Sequence, residues 1–417
     1  MSDELLSFCC EPNQSAQIKV IGVGGGGGNA VNYMYRKGIA GVGFMICNTD
    51  AQALRNSPVP VTFQLGESLT KGRGAGNMPE LGEQAAIESI EEIKTCLEAN
   101  THMAFITACM GGGTGTGAAP VIAKACRELN ILTIAVVTVP SRSEGRKRYE
   151  QALDGLEKIR EHVDSLLVIN NEKIREIYGN LPASEAFSKA DEILATAVKG
   201  VAEIITLHGN INIDFADVHT VMSGSKVFIM GTGFAEGDDR AIQAAKAALE
   251  SPLLDSNNIF GTKDILLNIS SGEDEITIGE IGEIIEFLQD KAGSEANIIW
   301  GNGCDVKLKK KISVTVIATG FRVNPSAILQ HLDREPEESV ALAPDAEDLF
   351  PPADDKPEEL EMAEVEKNPD PAPVDKKTRK KGETKIPAPA KEKQKAKSSW
   401  FMRQLDLFFE ENSTEME

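Results

Sequence analysis

The chain has 417 residues and a net charge of −21 at pH 7, because 64 Asp and Glu residues outnumber 43 Lys and Arg residues. A chain of this length ordinarily folds into about two or three domains, and 41% hydrophobic residues can fill sizeable cores. An acidic surface repels a phosphate backbone, so we predict no nucleic-acid partner. The seven cysteines show no disulfide or paired CxxC pattern, and no protein-held metal site is predicted.

The sequence contains no segment typical of a membrane-spanning helix or a signal peptide. No apolar run approaches the roughly 20 residues that a membrane-spanning helix needs. Residues 1–17 lack the basic leader and apolar stretch of a signal peptide and are predicted to be a flexible N-terminal tail. We therefore expect a soluble, cytoplasmic protein without a membrane span.

The next part of the chain alternates short apolar runs with helical patterns. The runs lie at residues 18–23, 43–47, 103–109, 132–139 and 165–170. Runs that are apolar throughout suit strands buried on both faces, and helices between them suit parallel crossover connections. We predict an α/β domain with a Rossmann-like parallel sheet over residues 18–183.

A long helix is predicted over residues 184–208, because apolar residues recur along one of its faces. A second αβ set follows over residues 209–321. Its predicted strands lie at residues 226–230, 264–270, 297–301 and 310–321, and its helices at residues 239–250 and 279–291. We therefore predict a smaller C-terminal αβ domain, joined to the first domain by the long helix.

The first predicted strand runs directly into a glycine-rich loop, GVGGGGGN at residues 22–29. Glycines leave backbone N–H groups open to a ligand, and a helix N-terminus behind them favours negative charge, so the loop suits phosphate. The loop also satisfies GxGxxG, and Asp50 stands where dinucleotide folds place a ribose-binding acid. A Rossmann-type oxidoreductase and a purely structural turn both remain open from this loop.

A second glycine-rich loop follows another predicted strand, in CMGGGTGTGAAP at residues 109–120. Two anion-binding loops at neighbouring strand ends suit a long polyphosphate, and the threonine hydroxyls add hydrogen-bond donors. A dinucleotide fold has no general need of the second loop. Neither loop has the GxxxxGK[ST] pattern, so no P-loop lysine is present.

These motifs resemble those of the tubulin/FtsZ family of GTPases. GGGTGTGAAP at residues 111–120 is similar to the family signature, and residues 48–55, 71–82 and 212–223 are similar to further nucleotide loops. The resemblance spans residues 18–321. It implies a tubulin-like fold, GTP or GDP as ligand, Mg²⁺ as cofactor, and hydrolysis of GTP to GDP and phosphate.

The resemblance also implies the residues of the nucleotide site. Phosphate contacts are implied for Gly25, Gly26, Gly27, Gly28, Asn29, Gly113, Thr114, Gly115, Thr116 and Gly117. Glu144 and Arg148 would lie at the ribose and phosphate end, and Asn171 would contact the nucleoside. Phe187 would stack on guanine and Asp191 would bind its edge; four residues apart, they share one helix face. Without the resemblance, a packing Phe187 and a solvated Asp191 explain the pattern equally well.

Asn212, Asp214 and Asp217 are the predicted catalytic residues. Carboxylates three residues apart on a helix point the same way and can orient a water for attack on a γ-phosphate. Asp214 as a helix N-cap would give the same pattern, so that alternative stays open. The resemblance implies that this loop completes the site of the next subunit, which makes hydrolysis polymerisation-dependent and generates a head-to-tail filament.

Short stretches of the chain depart from the family pattern. Ser141-Arg142-Ser143 replaces an aromatic-containing segment before Glu144, and His208 and Asn210 stand where Pro and an apolar residue are common.

Residues 335–397 are predicted to be a disordered charged linker. Residues 335–375 carry a net charge of −13, residues 376–397 carry +8, and the whole segment holds ten of the nineteen prolines. Residues 398–417 follow as a predicted partner-binding peptide, whose apolar helical face lies within residues 398–411. Insertion at a membrane surface and folding back onto the body remain alternatives.

The resemblance implies a role in bacterial division. Family members there form a cytokinetic ring at mid-cell and recruit other division proteins, so membrane adaptors and regulatory division proteins are the implied partners of residues 398–411. A filament protein used in plasmid segregation or cell shape is the rival within the family.

Overall fold

The computed structural model describes a large part of the chain, namely residues 16–39, 41–206, 209–251, 258–321, 328 and 330. All described residues belong to one compact unit. Residues 1–15 of the predicted tail, the predicted linker and the predicted C-terminal peptide lie outside the described residues.

Among the described residues, six strands form the first sheet. They are β1 Ile18–Val23, β2 Val42–Asn48, β3 Val61–Gln64, β4 Met103–Cys109, β5 Leu132–Val139 and β6 Ser165–Asn170. Their order is β3-β2-β1-β4-β5-β6, and every neighbouring pair is parallel. The α/β fold class and its parallel sheet are therefore confirmed.

Helices cover this sheet on both faces. They are α1 Gly24–Arg36, α2 Ala51–Arg55, α3 Glu67–Thr70, α4 Pro79–Glu98, α5 Thr114–Glu128, α6 Arg146–Arg160 and α7 Asn171–Tyr178. Successive strand residues face opposite sides, so Val20 belongs to one buried cluster and Ile21 to another. This double burial explains why the strand sequences are apolar throughout.

The long helix α8 spans Ala183–Thr206, close to its predicted bounds. Leu194, Val198 and Val201 are buried on it. They share one core cluster with Ile134 of β5 and with Phe228, the first residue of the second sheet. The helix therefore connects the two sheets through packing as well as through the chain.

The second sheet is mixed. After helix α9 (Phe215–Met222) come β7 Phe228–Ala235, α10 Arg240–Leu249, β8 Asp264–Ser271, α11 Ile278–Ala292, β9 Asn297–Cys304 and β10 Ile312–Thr319. The strand order is β7-β10-β8-β9, with β10 antiparallel to β7 and β8, and β8 parallel to β9. β9 lies at the edge. Within the described ranges, no helix is long and apolar enough to cross a membrane.

Candidate active site

A cavity of about 370 Å³ lies beside the carboxyl ends of β1, β4 and β5. Eleven of the fifteen predicted nucleotide-contact residues line it: Gly25, Gly26, Asn29, Gly113, Thr114, Gly115, Glu144, Arg148, Asn171, Phe187 and Asp191. The carboxyl ends of parallel strands meet at one edge of a sheet, which is where open α/β folds bind ligands. The cavity therefore collects residues from both glycine loops and from α8.

The two glycine loops place helix N-termini at the cavity. α1 begins at Gly24 immediately after β1, and α5 begins at Thr114; neither helix has an acidic residue in its first turn. Gly24 has a φ of 73°, a conformation that glycine adopts without strain, and a Cβ on Gly25 would meet nothing within 4 Å. Open backbone beside two helix N-termini can bind a chain of phosphates.

Four residues predicted at the phosphates do not line the cavity: Gly27, Gly28, Thr116 and Gly117. A Cβ on Gly27 would lie 2.2 Å from the carbonyl oxygen of Thr107 in β4. The Thr116 hydroxyl accepts a hydrogen bond from the Gly111 N–H at 2.8 Å. These positions pack the loop helices onto their neighbours, and their phosphate contacts stay predictions.

Gly117 makes the tightest of these approaches, because a Cβ there would lie 1.9 Å from the carbonyl oxygen of Pro79 in α4. Gly117→Ala is expected to force α4 and α5 apart and to lower the free energy of unfolding by about 3 kcal/mol. Gly282→Ala is the matched control, since a Cβ on that helical glycine meets nothing within 4 Å. Urea unfolding measures both, and equal stability of the two variants would contradict the packing role.

Glu144 organises the polar end of the cavity. Its carboxylate accepts from the Ser141 N–H at 2.9 Å and from Asn171 Nδ2 at 3.4 Å, and pairs with Arg148 at 3.4 Å. Ser141 and Glu144 form a capping box on a 3₁₀ turn, so the atypical Ser141-Arg142-Ser143 stretch builds this support. The Asn171 Oδ1 is buried without a hydrogen-bond partner, as expected of an acceptor awaiting a ligand donor.

Phe187 and Asp191 lie one turn apart on α8. The Phe187 side chain is 63% exposed, which is unusual for a large aromatic residue and leaves its ring available for stacking. Burial raises the pKa of the Asp191 carboxyl to about 7. A ring and a carboxylate at this spacing can contact the face of guanine and accept hydrogen bonds from its N1–H and 2-amino groups.

The predicted catalytic residues do not line the cavity. Asp214 is the N-cap of α9: its Oδ1 accepts from the Asp217 N–H at 2.8 Å, and Asp217 Oδ2 accepts from the Asp214 N–H at 3.1 Å. Asn212 Oδ1 accepts from the Gly209 N–H at 2.6 Å. The capping arrangement is therefore present, and it engages one oxygen of each carboxylate.

This loop lies at the opposite edge of the parallel sheet from the cavity. The Phe215 ring of α9 packs against the ring of His102, with their centroids 6.1 Å apart, and His102 immediately precedes β4. The cavity lies at the other end of β4, where Cys109 lines it. A seven-residue strand at about 3.3 Å per residue separates the two ends by about 20 Å. The carboxylates of one chain are thus remote from that chain's own cavity.

Thr49, which the sequence did not single out individually, lies beside the second glycine loop. The Thr49 and Thr114 hydroxyls lie 2.7 Å apart and join the segment after β2 to the second glycine loop. Asp50 caps α2 by accepting from the N–H groups of Gln52 and Ala53. This capping role accounts for an acid at position 50 without the ribose contact of dinucleotide folds.

Two family models match the chain. Residues 17–179 match the Tubulin/FtsZ family GTPase domain, and residues 227–322 match the FtsZ family C-terminal domain. The cell division protein FtsZ of Porphyromonas gingivalis is 49% identical over 324 residues, covering 77% of this chain and 71% of that protein. That of Azotobacter vinelandii is 48% identical over 334 residues, covering 79% and 84%.

Solved structures agree with these matches. The empty FtsZ dimer of M. jannaschii has a TM-score of 0.68 at 42% identity, and the match covers 73% of this chain and 88% of that one. CetZ2 of Haloferax volcanii, with a TM-score of 0.64 at 21% identity, supports the fold alone. Fold and matched domains together define a GTP-hydrolysing enzyme of the tubulin/FtsZ class. Within that class, the chain belongs to the FtsZ family, and the oxidoreductase alternative is wrong.

Proposed function

We propose that the chain polymerises head to tail and that Asn212, Asp214 and Asp217 of one subunit complete the nucleotide cavity of the next. The observation that supports this is that Phe215, next to Asp214, packs at one end of β4, while the cavity lies at the other end of the same strand, about 20 Å along it. A contact between unlike surfaces that does not close generates a filament. The FtsZ dimer among the related structures is consistent with self-association.

In this proposal the cavity residues bind and orient GTP. The backbone of residues 25–29 and 113–117 surrounds the phosphates, Glu144 and Arg148 lie toward the ribose, and Asn171 accepts from the nucleoside. Phe187 and Asp191 recognise guanine. The incoming Asp214 and Asp217 orient a water in line with the γ-phosphate, so that phosphate leaves and GDP remains.

Magnesium is part of the proposal because the oxygen ligands available beside the second glycine loop suit this ion. Mg²⁺ prefers oxygen ligands, keeps several waters and is held largely by substrate phosphates with one or two protein oxygens. The hydroxyls of Thr49 and Thr114, 2.7 Å apart, offer such oxygens beside the second glycine loop. When bound, the ion neutralises charge on the phosphates.

The cellular proposal is a cytokinetic ring. Filaments would form in the cytoplasm at the mid-cell division site, and residues 398–411 would bind membrane adaptors and regulatory division proteins. The proposed organisation is a GTP-binding domain over residues 18–183, a connecting helix over 184–208 and a C-terminal domain over 209–321, followed by the linker 335–397. Recovery of division adaptors by the full chain, and their loss on deletion of residues 398–417, would separate this role from segregation or shape determination.

GTP hydrolysis measured against protein concentration, with sedimentation in parallel, tests the shared site. Specific activity is expected to appear above a threshold concentration together with pelletable polymer, because the site needs two chains. Specific activity that is constant at all concentrations would place catalysis within one chain and overturn the proposal.

A further inference from the structure

We propose that Asn302 and Glu275 are positioning residues. They hold residues 209–211 against strand β9 and the loop before α11, and thereby fix Asn212, Asp214 and Asp217 for catalysis. The inference rests on the proposed function, and it assigns to the edge of the second sheet a part in the reaction of the neighbouring subunit.

Asn302 holds the loop from the edge strand β9. The Ile211 N–H donates to Asn302 Oδ1 at 3.0 Å, and the Asn302 N–H donates to the Ile211 carbonyl at 2.9 Å. One asparagine thus satisfies both backbone groups of Ile211, in an isolated antiparallel bridge. A Cβ on Gly209 would lie 1.8 Å from the Asn302 carbonyl oxygen, so the chain passes directly over this residue.

Glu275 holds the same segment from a second direction. Asn210 Nδ2 donates to Glu275 Oε1 at 2.9 Å. The backbone around Glu275 is itself fixed by Arg240, which donates to the carbonyls of Asp274 at 3.0 Å and Glu275 at 3.2 Å. Arg240 also pairs with Glu280 at 2.6 Å, and both side chains are largely shielded from solvent. Glu275 therefore projects from an anchored loop.

The held segment is short enough to transmit its position to the carboxylates. Asn212 accepts from the Gly209 N–H, and Ile213 is buried at 3% exposure, so little of the chain between Ile211 and Asp214 is free to move. Misplacement of a catalytic group by about 1 Å can cost about 100-fold in rate. Without these contacts the capped start of α9 would remain folded, but its approach to the next subunit's cavity would vary.

Asn302→Ala and Asn302→Asp test the first contact in the full chain. Asn302→Ala removes the acceptor for the Ile211 N–H, and kcat per polymerised subunit is expected to fall about threefold to tenfold, the worth of one hydrogen bond. Asn302→Asp keeps the acceptor and should restore kcat to within about twofold. Asn297→Ala is the matched control, because it removes an asparagine hydrogen bond from the same strand, to Asp264.

GTP affinity, measured below the polymerisation threshold, and the threshold itself are expected to stay within about twofold of wild type in these variants. An unchanged kcat in Asn302→Ala, or an equal loss in Asn302→Asp, would overturn the positioning role. A fall in kcat accompanied by weaker GTP binding would also overturn it, because that result indicates general damage to the fold.

A double-mutant cycle tests the second contact. Asn210→Ala and Glu275→Ala should each lower kcat, and the double variant should be no worse than the poorer single variant, because either change breaks the same bond. Fully additive losses would contradict direct coupling. Asp214→Ala distinguishes failure of the shared site from failure of the positioning role. If Asp214→Ala retains turnover, both proposals are wrong. If Asp214→Ala loses turnover while Asn302→Ala keeps a normal kcat, only the positioning role is wrong.

Discussion

Asp214→Ala is expected to lower the GTP turnover of polymerised protein by about 100-fold or more, while GTP binding persists. The physical reason is that Asp214 lies outside its own chain's cavity, so its loss leaves the residues that bind nucleotide untouched. Phosphate release above the polymerisation threshold measures turnover, and nucleotide binding below the threshold measures affinity.

The capping box around Asp214 supplies the control that this experiment needs. Asp214→Asn keeps an oxygen that can accept from the Asp217 N–H but removes the negative charge, and Asn and Asp cap helices about equally well. Asp214→Ala should lower the free energy of unfolding by about 1 kcal/mol, and Asp214→Asn by much less. Turnover is expected to be lost in both variants. Near-normal turnover in Asp214→Asn would mean that the residue is a cap alone.

Strands buried on both faces could be predicted closely from the sequence. The bounds of β1 and β5 equal those of the apolar runs at residues 18–23 and 132–139, because every residue of these strands is buried. β3 was missed, since it is a four-residue edge strand with only Val61 buried. The antiparallel orientation of β10 was not predicted either, because an apolar run carries no information on direction.

Most residues of the cavity were predicted from the sequence, but the different roles of the loop glycines were not. Gly25 and Gly117 were both predicted to contact phosphate. A Cβ on Gly25 would meet nothing within 4 Å, whereas a Cβ on Gly117 would clash with the Pro79 carbonyl. That difference depends on which distant segment packs behind each loop. Likewise, one pattern of residues describes Asp214 both as a helix cap and as a catalytic residue, and the structure shows the cap.

Asp191→Asn is expected to weaken guanine-nucleotide binding by about 10- to 100-fold at pH 8, because a charged acceptor of two hydrogen bonds is lost. The free carboxyl has a pKa of about 7, raised by burial, and only its ionised form accepts from both guanine donors. Wild-type affinity should therefore fall by up to about tenfold for each pH unit below 7, since binding then requires release of a proton.

The ratio of wild-type affinity to Asp191→Asn affinity reports the pH dependence that comes from the Asp191 carboxyl alone, because titration of the nucleotide phosphates affects both proteins equally. Glu185→Gln, which neutralises an exposed acid on the same helix, controls for net charge. A ratio that does not change between about pH 6 and pH 8 would contradict recognition by an ionised Asp191, given the pKa of about 7.

The free energy of unfolding of the unliganded protein should change with pH in the opposite direction to its affinity for guanine nucleotide. The folded carboxyl, with its pKa raised from 3.8 to about 7, holds more protons than the unfolded chain between these values. The Asp191 contribution to the free energy of unfolding therefore falls as pH rises through this window, and Asp191→Asn should remove that fall. Burial of this carboxylate thus destabilises the empty protein near neutral pH, and a guanine that satisfies it restores stability on binding.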